Sequence, residues 1–194
     1  MNRQLYIIAG CNGAGKTTAS YTVLPDILKC REFVNADEIA KGLSPFNPSE
    51  MAIQAGRLML QRIEDLLSQG ETFSIETTLA TRSYTNLINR AKEKGYVVTL
   101  LFFWLNSPEL AIQRVSERVN HGGHNIPENV IRRRYVSGIR NLMELFIPIV
   151  NFWSIFDNSQ SPRQMIAYGG INQETTILNH NSFCKIQEIC QKKK

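Results

Sequence analysis

Gly10-Cys11-Asn12-Gly13-Ala14-Gly15-Lys16-Thr17 satisfies the spacing G-x-x-x-x-G-K-[ST] and stands directly behind the apolar run Leu5-Tyr6-Ile7-Ile8-Ala9. No other feature constrains the fold as much, because this motif works only as a loop between a buried strand and a helix. Glycines at 10, 13 and 15 let backbone N–H groups converge on phosphate oxygens, and a helix opening at Lys16 adds its partial positive end. Lys16 then reaches the β and γ phosphates, and Thr17 offers its hydroxyl to Mg²⁺, which prefers one or two protein oxygens beside those of the nucleotide. The expected phosphate-binding residues are Gly10, Cys11, Asn12, Gly13, Ala14, Gly15, Lys16, Thr17 and Thr18, with ATP or a similar triphosphate and Mg²⁺ as ligands. Cys11 reads as a tolerated small side chain, since nothing marks a base or a resolving thiol beside it.

A chain of 194 residues suits one domain over 1–194, large enough to bury its own core without metal or disulfide support. Cysteines at 11, 30, 184 and 190 form no CxxC pair, which suggests a reduced, cytoplasmic setting. The N-terminal apolar stretch is too short for a signal peptide, and no apolar run approaches bilayer length, so no membrane contact is expected. The formal net charge of +5 could suggest nucleic acid, but three lysines occupy the last three positions and five arginines fall between 114 and 134. Such clustering fits local phosphate chemistry better than a nucleic-acid face.

Apolar runs of strand length recur at Leu5–Ala9, Phe33–Asn35, Phe73–Ile75, Val97–Leu105 and Phe152–Phe156, with Met165–Tyr168 as a candidate edge addition. Between them, Thr17–Ser20 can start a helix ending near Pro25, and Ser49-Glu50 opens an amphipathic segment closed by Gly70. Ser107-Pro108-Glu109 starts a helix to about Val119, and Pro127-Glu128 starts another to about Glu144. Past about residue 170 lies a C-terminal extension with a tail helix near Phe183–Gln191. Alternating strands and helices predict an α/β fold, a mostly parallel sheet covered on both faces.

Ligands of such sheets collect beyond the carboxyl ends of the strands, where Asp37, Glu76 and Asp157 fall. Asp37 can accept the proton of an attacking hydroxyl or hold Mg²⁺ through water; alternatively it caps the helix starting at Glu38. Asp157, followed by Asn158 and Ser159, reads as a turn residue. Arg114 and Arg118, four apart, share a helix face, and Gly122-Gly123 permits a hinge before a helix bearing Arg132, Arg133 and Arg134. This reads as a lid whose guanidinium forks match charge building on a transferred phosphoryl group; Arg118 and Arg134 are favoured as phosphate contacts, then Arg114 and Arg132. The alternative is a solvated helix whose arginines pair with Glu117, Glu128 or Glu144. His121 and His124 are too few for a closed zinc shell.

IIAGCNGAGKTT, FVNADEIAKGLSP, FSIETTLATRSY and RVSERVNHGGHNIPENVIRRRY together resemble the zeta-toxin-like P-loop kinases over about residues 4–170, and look most like their small stand-alone members. The resemblance implies a P-loop NTPase-type three-layer fold with a five-stranded parallel sheet and a helical arginine-bearing lid. It also implies ATP with Mg²⁺ as donor and a hydroxyl acceptor, which in the true toxins is a UDP-linked amino sugar. By the same resemblance Lys16 is the phosphate-loop lysine, Asp37 the base, Glu76 the acid ending the third strand, and Arg114–Arg134 the lid. Glu76, Thr77 and Arg82 are the expected acceptor contacts beside Asp37. The lid's HGGHNIP stretch differs from the true toxins, and toxicity does not carry over. An antitoxin-type partner is conceivable within the family, although nothing in the sequence marks one.

The expected activity is therefore transfer of the ATP γ-phosphoryl group to a hydroxyl of a small molecule, a sugar or nucleotide sugar. Lys16, Asp37, Arg118 and Arg134 form the catalytic set. Two other classes remain open: an NTP-hydrolysing switch, which lacks a guanine-reading NKxD motif here, and a polynucleotide-end kinase, which the basic balance favours only weakly.

Overall fold

The computed structural model describes residues 3–120 and 125–191. His121, Gly122, Gly123 and His124, where the hinge and the histidine pair were expected, lie outside the described residues. Among the described residues seven strands form one sheet: β1 (Gln4–Ala9), β2 (Glu32–Val34), β3 (Phe73–Thr77), β4 (Val97–Trp104), β5 (Phe152–Asp157), β6 (Gln164–Gly170) and β7 (Gln173–Ile177). Their order across the sheet is β2-β3-β1-β4-β5-β6-β7. The first five run parallel, and β6 and β7 add antiparallel to the β5 edge.

The expectation of five strands is thus corrected to seven. Of the two additions, β6 follows the candidate Met165–Tyr168 run, whereas β7 has no run of apolar residues to announce it. Gln173–Thr175 are exposed, so β7 is held chiefly by its ladder to β6 rather than by burial.

Among the described residues seven α-helices accompany the sheet: α1 (Lys16–Thr22), α2 (Ala36–Leu43), α3 (Ala52–Gln69), α4 (Tyr84–Glu93), α5 (Pro108–Asn120), α6 (Glu128–Asn141) and α7 (His180–Gln191). Wide π-type turns at Val23–Ile27 and Leu142–Phe146 extend α1 and α6. Helix α4 had no individual signal in the sequence, because its buried set is only Leu87, Ile88 and Ala91 in an otherwise polar segment. In α3 the buried set Ala55, Met59, Ile63, Leu66 and Leu67 recurs at helical spacing and forms the apolar stripe that packs inward.

Consecutive strand residues point to opposite faces. Ile7 and Ile8 in β1, and Phe102, Phe103 and Trp104 in β4, are nonetheless all at most 2% exposed. Both faces of the central strands are therefore covered, which makes three layers with helices outside. Each such side chain contributes about 1.5–3 kcal/mol through burial, so the middle of the sheet is the rigid reference on which the loops are built.

Register decides which loops meet. Ile8 lies opposite Glu76, Ala9 opposite Phe102, Val34 opposite Ile75, and Trp104 opposite Asp157. The carboxyl ends of β1 to β5 consequently finish together, and Gly10, Asn35, Glu76 and Asn158 arrive at one edge.

Candidate active site

The phosphate loop runs from Gly10 to Gly15 and closes on itself where the Ala14 N–H donates to the Cys11 carbonyl oxygen, 3.2 Å. Gly15 caps α1 in the left-handed region, φ 76° and ψ 20°. A Cβ there would also lie 2.6 Å from Asn158 Nδ2, so glycine is required both by the backbone and by the neighbour. Asn158, just past β5, donates from Nδ2 to the Ala14 carbonyl oxygen at 2.8 Å and so braces the loop from the side.

Beneath the loop sits a buried polar cluster. Lys16, 7% exposed, donates from Nζ to the Cys11 carbonyl oxygen at 3.0 Å and stands 3.6 Å from Glu76 Oε1. The Thr17 hydroxyl donates to Glu76 Oε2 at 2.8 Å, with Oε1 at 3.1 Å. Asn35 Nδ2 donates to Glu76 Oε2 at 2.9 Å. Glu76, expected to orient the acceptor, is instead bonded to Thr17 and Asn35 beside Lys16. The cause is the β1–β3 register, which brings the end of β3 level with the loop entrance.

Asp37 stands in the first turn of α2, and the alternative that it caps this helix does not hold. Asn35 is the cap: its Oδ1 accepts from the Asp37 N–H at 2.8 Å and the Glu38 N–H at 3.4 Å. Asp37 lines a cavity of about 470 Å³ together with Gly13, Lys16, Thr17, Glu76 and Arg118. Asn12, Gly15, Thr18 and Arg114 line it too, while Ala36, Glu38, Ala40, Lys41, Pro48, Ser49 and Ala52 form the wall away from the loop. None of the described lining residues is aromatic.

The arginines divide. Arg118 and Arg114 face the cavity, and Arg114 also donates to the Asn158 and Ser159 carbonyl oxygens at 2.9 and 3.0 Å. Arg134 donates to Asn12 Oδ1 at 3.2 Å, which attaches α6 to the phosphate loop. Arg132, expected at phosphate, turns away: it pairs with Glu109 at 2.6 Å, outside the cavity lining, and its N–H holds the Glu109 carboxyl below the usual range. Helix α6 is firmly seated, because Tyr135 donates its hydroxyl to the Leu105 carbonyl oxygen at 2.7 Å and Asn141 Nδ2 donates to the Leu79 carbonyl oxygen at 2.6 Å.

Several expected contacts stand apart from the cavity. Thr77 accepts the Leu79 N–H on its own hydroxyl oxygen at 3.1 Å, a turn role, and neither it nor Arg82 is in the lining. Gly10 and Ala14 shape the loop from behind, both buried or close to the core. The Cys11 side chain points into the core beside Phe103 and Tyr135, where burial pushes its thiol up to about 11 in spite of nearby Lys16 and Arg114. The contribution of Cys11 at the site is its backbone oxygen.

Asn35 and Asn158 are the members the sequence reading missed. A search confined to acids at strand ends passes over amides, although Asn35 before Ala36-Asp37-Glu38 carries the signature of a helix cap. The donor set of Thr17 hydroxyl and Glu76 carboxylate, both oxygen ligands at the loop, suits a small hard cation that keeps most of its waters.

A strand, phosphate loop and helix at the carboxyl edge of a parallel sheet, with a cavity lined by both acidic and basic residues beside them, define the P-loop kinase class of α/β fold. The Zeta toxin family profile matches residues 2–151, and the chain belongs to that family. An uncharacterised protein of Haemophilus influenzae is 31% identical over 135 residues, 70% of this chain and 94% of that one. Among solved structures, AvrRxo1-ORF1:-ORF2 with ATP superposes with a TM-score of 0.79 at 19% identity, covering 99% of this chain and 65% of the other. This chain thus spans about two-thirds of that protein's length. The PezAT chromosomal toxin–antitoxin system of Streptococcus pneumoniae superposes with a TM-score of 0.64 at 18% identity, covering 98% of this chain and 88% of that one. These two similarities establish the fold. Among the described residues no helix is long and apolar enough to cross a membrane.

Proposed function

We propose that the protein is an ATP-dependent phosphotransferase that moves the γ-phosphoryl group to a hydroxyl of a small molecule, a sugar or nucleotide sugar. The observation that carries the reading is the cavity itself: the phosphate loop forms one wall, Asp37 and α2 another, and Arg114 and Arg118 flank the space between. Family membership and a structural neighbour with ATP support the donor.

In this reading the loop N–H groups and Lys16 bind the triphosphate, and Lys16 exchanges its contact with the Cys11 oxygen for phosphate oxygens. Thr17 and Glu76 are the residues that would hold Mg²⁺, which when bound offsets charge on the β and γ phosphates. Asp37 accepts the proton of the acceptor hydroxyl as that oxygen attacks the γ phosphorus. Arg118 and Arg114 face the charge that spreads over the transferred group, and Arg134 steadies the loop through Asn12. The wall formed by Ala36, Ala40, Lys41, Pro48, Ser49 and Ala52 receives the acceptor. It is built mostly of alanine and proline, with Lys41 and Ser49 as its polar members.

Incubating the purified chain with Mg-ATP and pools of sugars, nucleotide sugars and nucleosides should yield an acceptor heavier by one phosphoryl group. Asp37→Asn should slow transfer roughly 10²- to 10⁴-fold while ATP still binds. Full activity in that variant rejects the role of Asp37.

A further inference from the structure

Asn35 is 5% exposed and uses both ends of its amide. Its Nδ2 donates to Glu76 Oε2 at 2.9 Å, and its Oδ1 accepts from the Asp37 and Glu38 N–H groups at 2.8 and 3.4 Å. Only one orientation of the amide satisfies these neighbours, since a carboxylate needs a donor and helix N–H groups need an acceptor. The two ends serve opposite sides of the cavity. Glu76 is bonded to Thr17 beside the phosphate loop, whereas α2 carries Asp37, Lys41 and the wall beyond.

The arrangement follows from the sheet. Val34 is the last residue of β2 and pairs with Ile75, so the next residue on each strand, Asn35 and Glu76, come out side by side. Asn35 is also the residue at which the extended chain turns into α2. One side chain therefore meets the end of a neighbouring strand and the start of its own helix.

We propose that Asn35 is a positioning residue that locks the phosphate-gripping side of the cavity to the side that presents Asp37. The proposal rests on the phosphotransferase reading for its effect on turnover, but not for its effect on nucleotide binding. Without the Asn35 donor, Glu76 loses a buried charge-assisted bond and Thr17 loses its fixed acceptor. Without the Asn35 oxygen, the first turn of α2 loses its cap and Asp37 its fixed place.

Two variants of the full chain separate the ends. Asn35→Ser keeps a short oxygen for the cap but cannot reach Glu76 as a donor; Asn35→Ala removes both bonds. Calorimetry with ATP, with and without Mg²⁺, should show Asn35→Ser losing about tenfold or more in the magnesium-dependent part of the affinity, with its thermal midpoint lowered less than that of Asn35→Ala. Asn35→Ala should lose the same affinity, unfold at a lower midpoint than Asn35→Ser, and lose further kcat as Asp37 loosens. Should Asn35→Ala fail to fold, Asn35→Asp keeps the size and the cap oxygen but sets a second carboxylate against Glu76, and its kcat should fall about tenfold or more, together with a lower thermal midpoint.

Parent-like magnesium-dependent binding and kcat in Asn35→Ser overturn the proposal, as does a pure loss of thermal midpoint in all variants. If the parent transfers no phosphate but Asn35→Ser still loses magnesium-dependent affinity, the transfer reading fails and the role of Asn35 stands.

Discussion

At the scale of single residues, chemistry follows from which groups are buried and which are paired. Lys16 and Glu76 are nearly inaccessible and share a cluster with Thr17 and Asn35, so each change there alters several bonds at once. Cys11 is the opposite case: a thiol inside the phosphate loop by sequence, yet one whose side chain faces the core. Burial favours the neutral form and raises its pKa from 9.0 to about 11. The folded state therefore holds the proton more tightly, and the stability it contributes is complete below about pH 9 and lost as pH rises through about 11. Iodoacetamide at pH 8 should label exposed Cys184 first and leave Cys11 almost untouched, with only on the order of a thousandth of its thiol ionised. Mass spectrometry of peptides from the folded protein would refute this if Cys11 is labelled as fast as Cys184.

Among the elements, α6 has the most to say about how the arginines work. Its position is set by the Tyr135 and Asn141 bonds and by Gly138, where a Cβ would lie 2.5 Å from the Thr78 carbonyl oxygen. The helix can approach the β3–α4 loop only without a side chain there. Gly138→Ala gains about 1 kcal/mol of helix propensity, but overpacking against backbone costs about 1–3 kcal/mol. The expected net result is a lower urea midpoint, and a weaker ATP affinity as Arg134 shifts from Asn12. An unchanged midpoint together with unchanged affinity would show that α6 has slack at this contact. The seating of α6 also explains why an arginine-rich stretch does not converge on one ligand. Helical spacing spreads Arg132 and Arg134 to different sides, one toward Glu109 and the other toward Asn12.

For the whole molecule, the parallel register of β1 to β5 carries alignment from the core to the edge where the loops meet. A ligand that binds only the folded state stabilises it by about 2.7 kcal/mol at a hundredfold excess over Kd, and in a chain of this size that amounts to a rise of roughly 5–11 °C in thermal midpoint. Mg-ATP should produce such a rise, and Lys16→Ala should abolish most of it while leaving the unliganded midpoint measurable. Equal shifts in both proteins would mean that the nucleotide sits elsewhere. The antiparallel β6 is tied into the same core, since Ile166 and Ala167 are fully buried, and Asn158, at the start of the β5–β6 connection, braces the phosphate loop.

By itself, the sequence determined the local events: the strand–loop–helix of the motif, the alternation that makes a parallel sheet, and the acids and arginines that travel with it. These are written in periodicity, glycine placement and caps, all of which act over a few neighbouring residues. Tertiary structure alone decided that Glu76 joins Thr17 and Lys16, that Asn35 links it to α2, that Asn158 supports Ala14, and that Arg132 leaves the site for Glu109. Apart from the local cap that Asn35 gives α2, those pairings join residues 23 to 144 positions apart. Strand register and helix seating set them, and both are properties of how the whole core packs rather than of any segment.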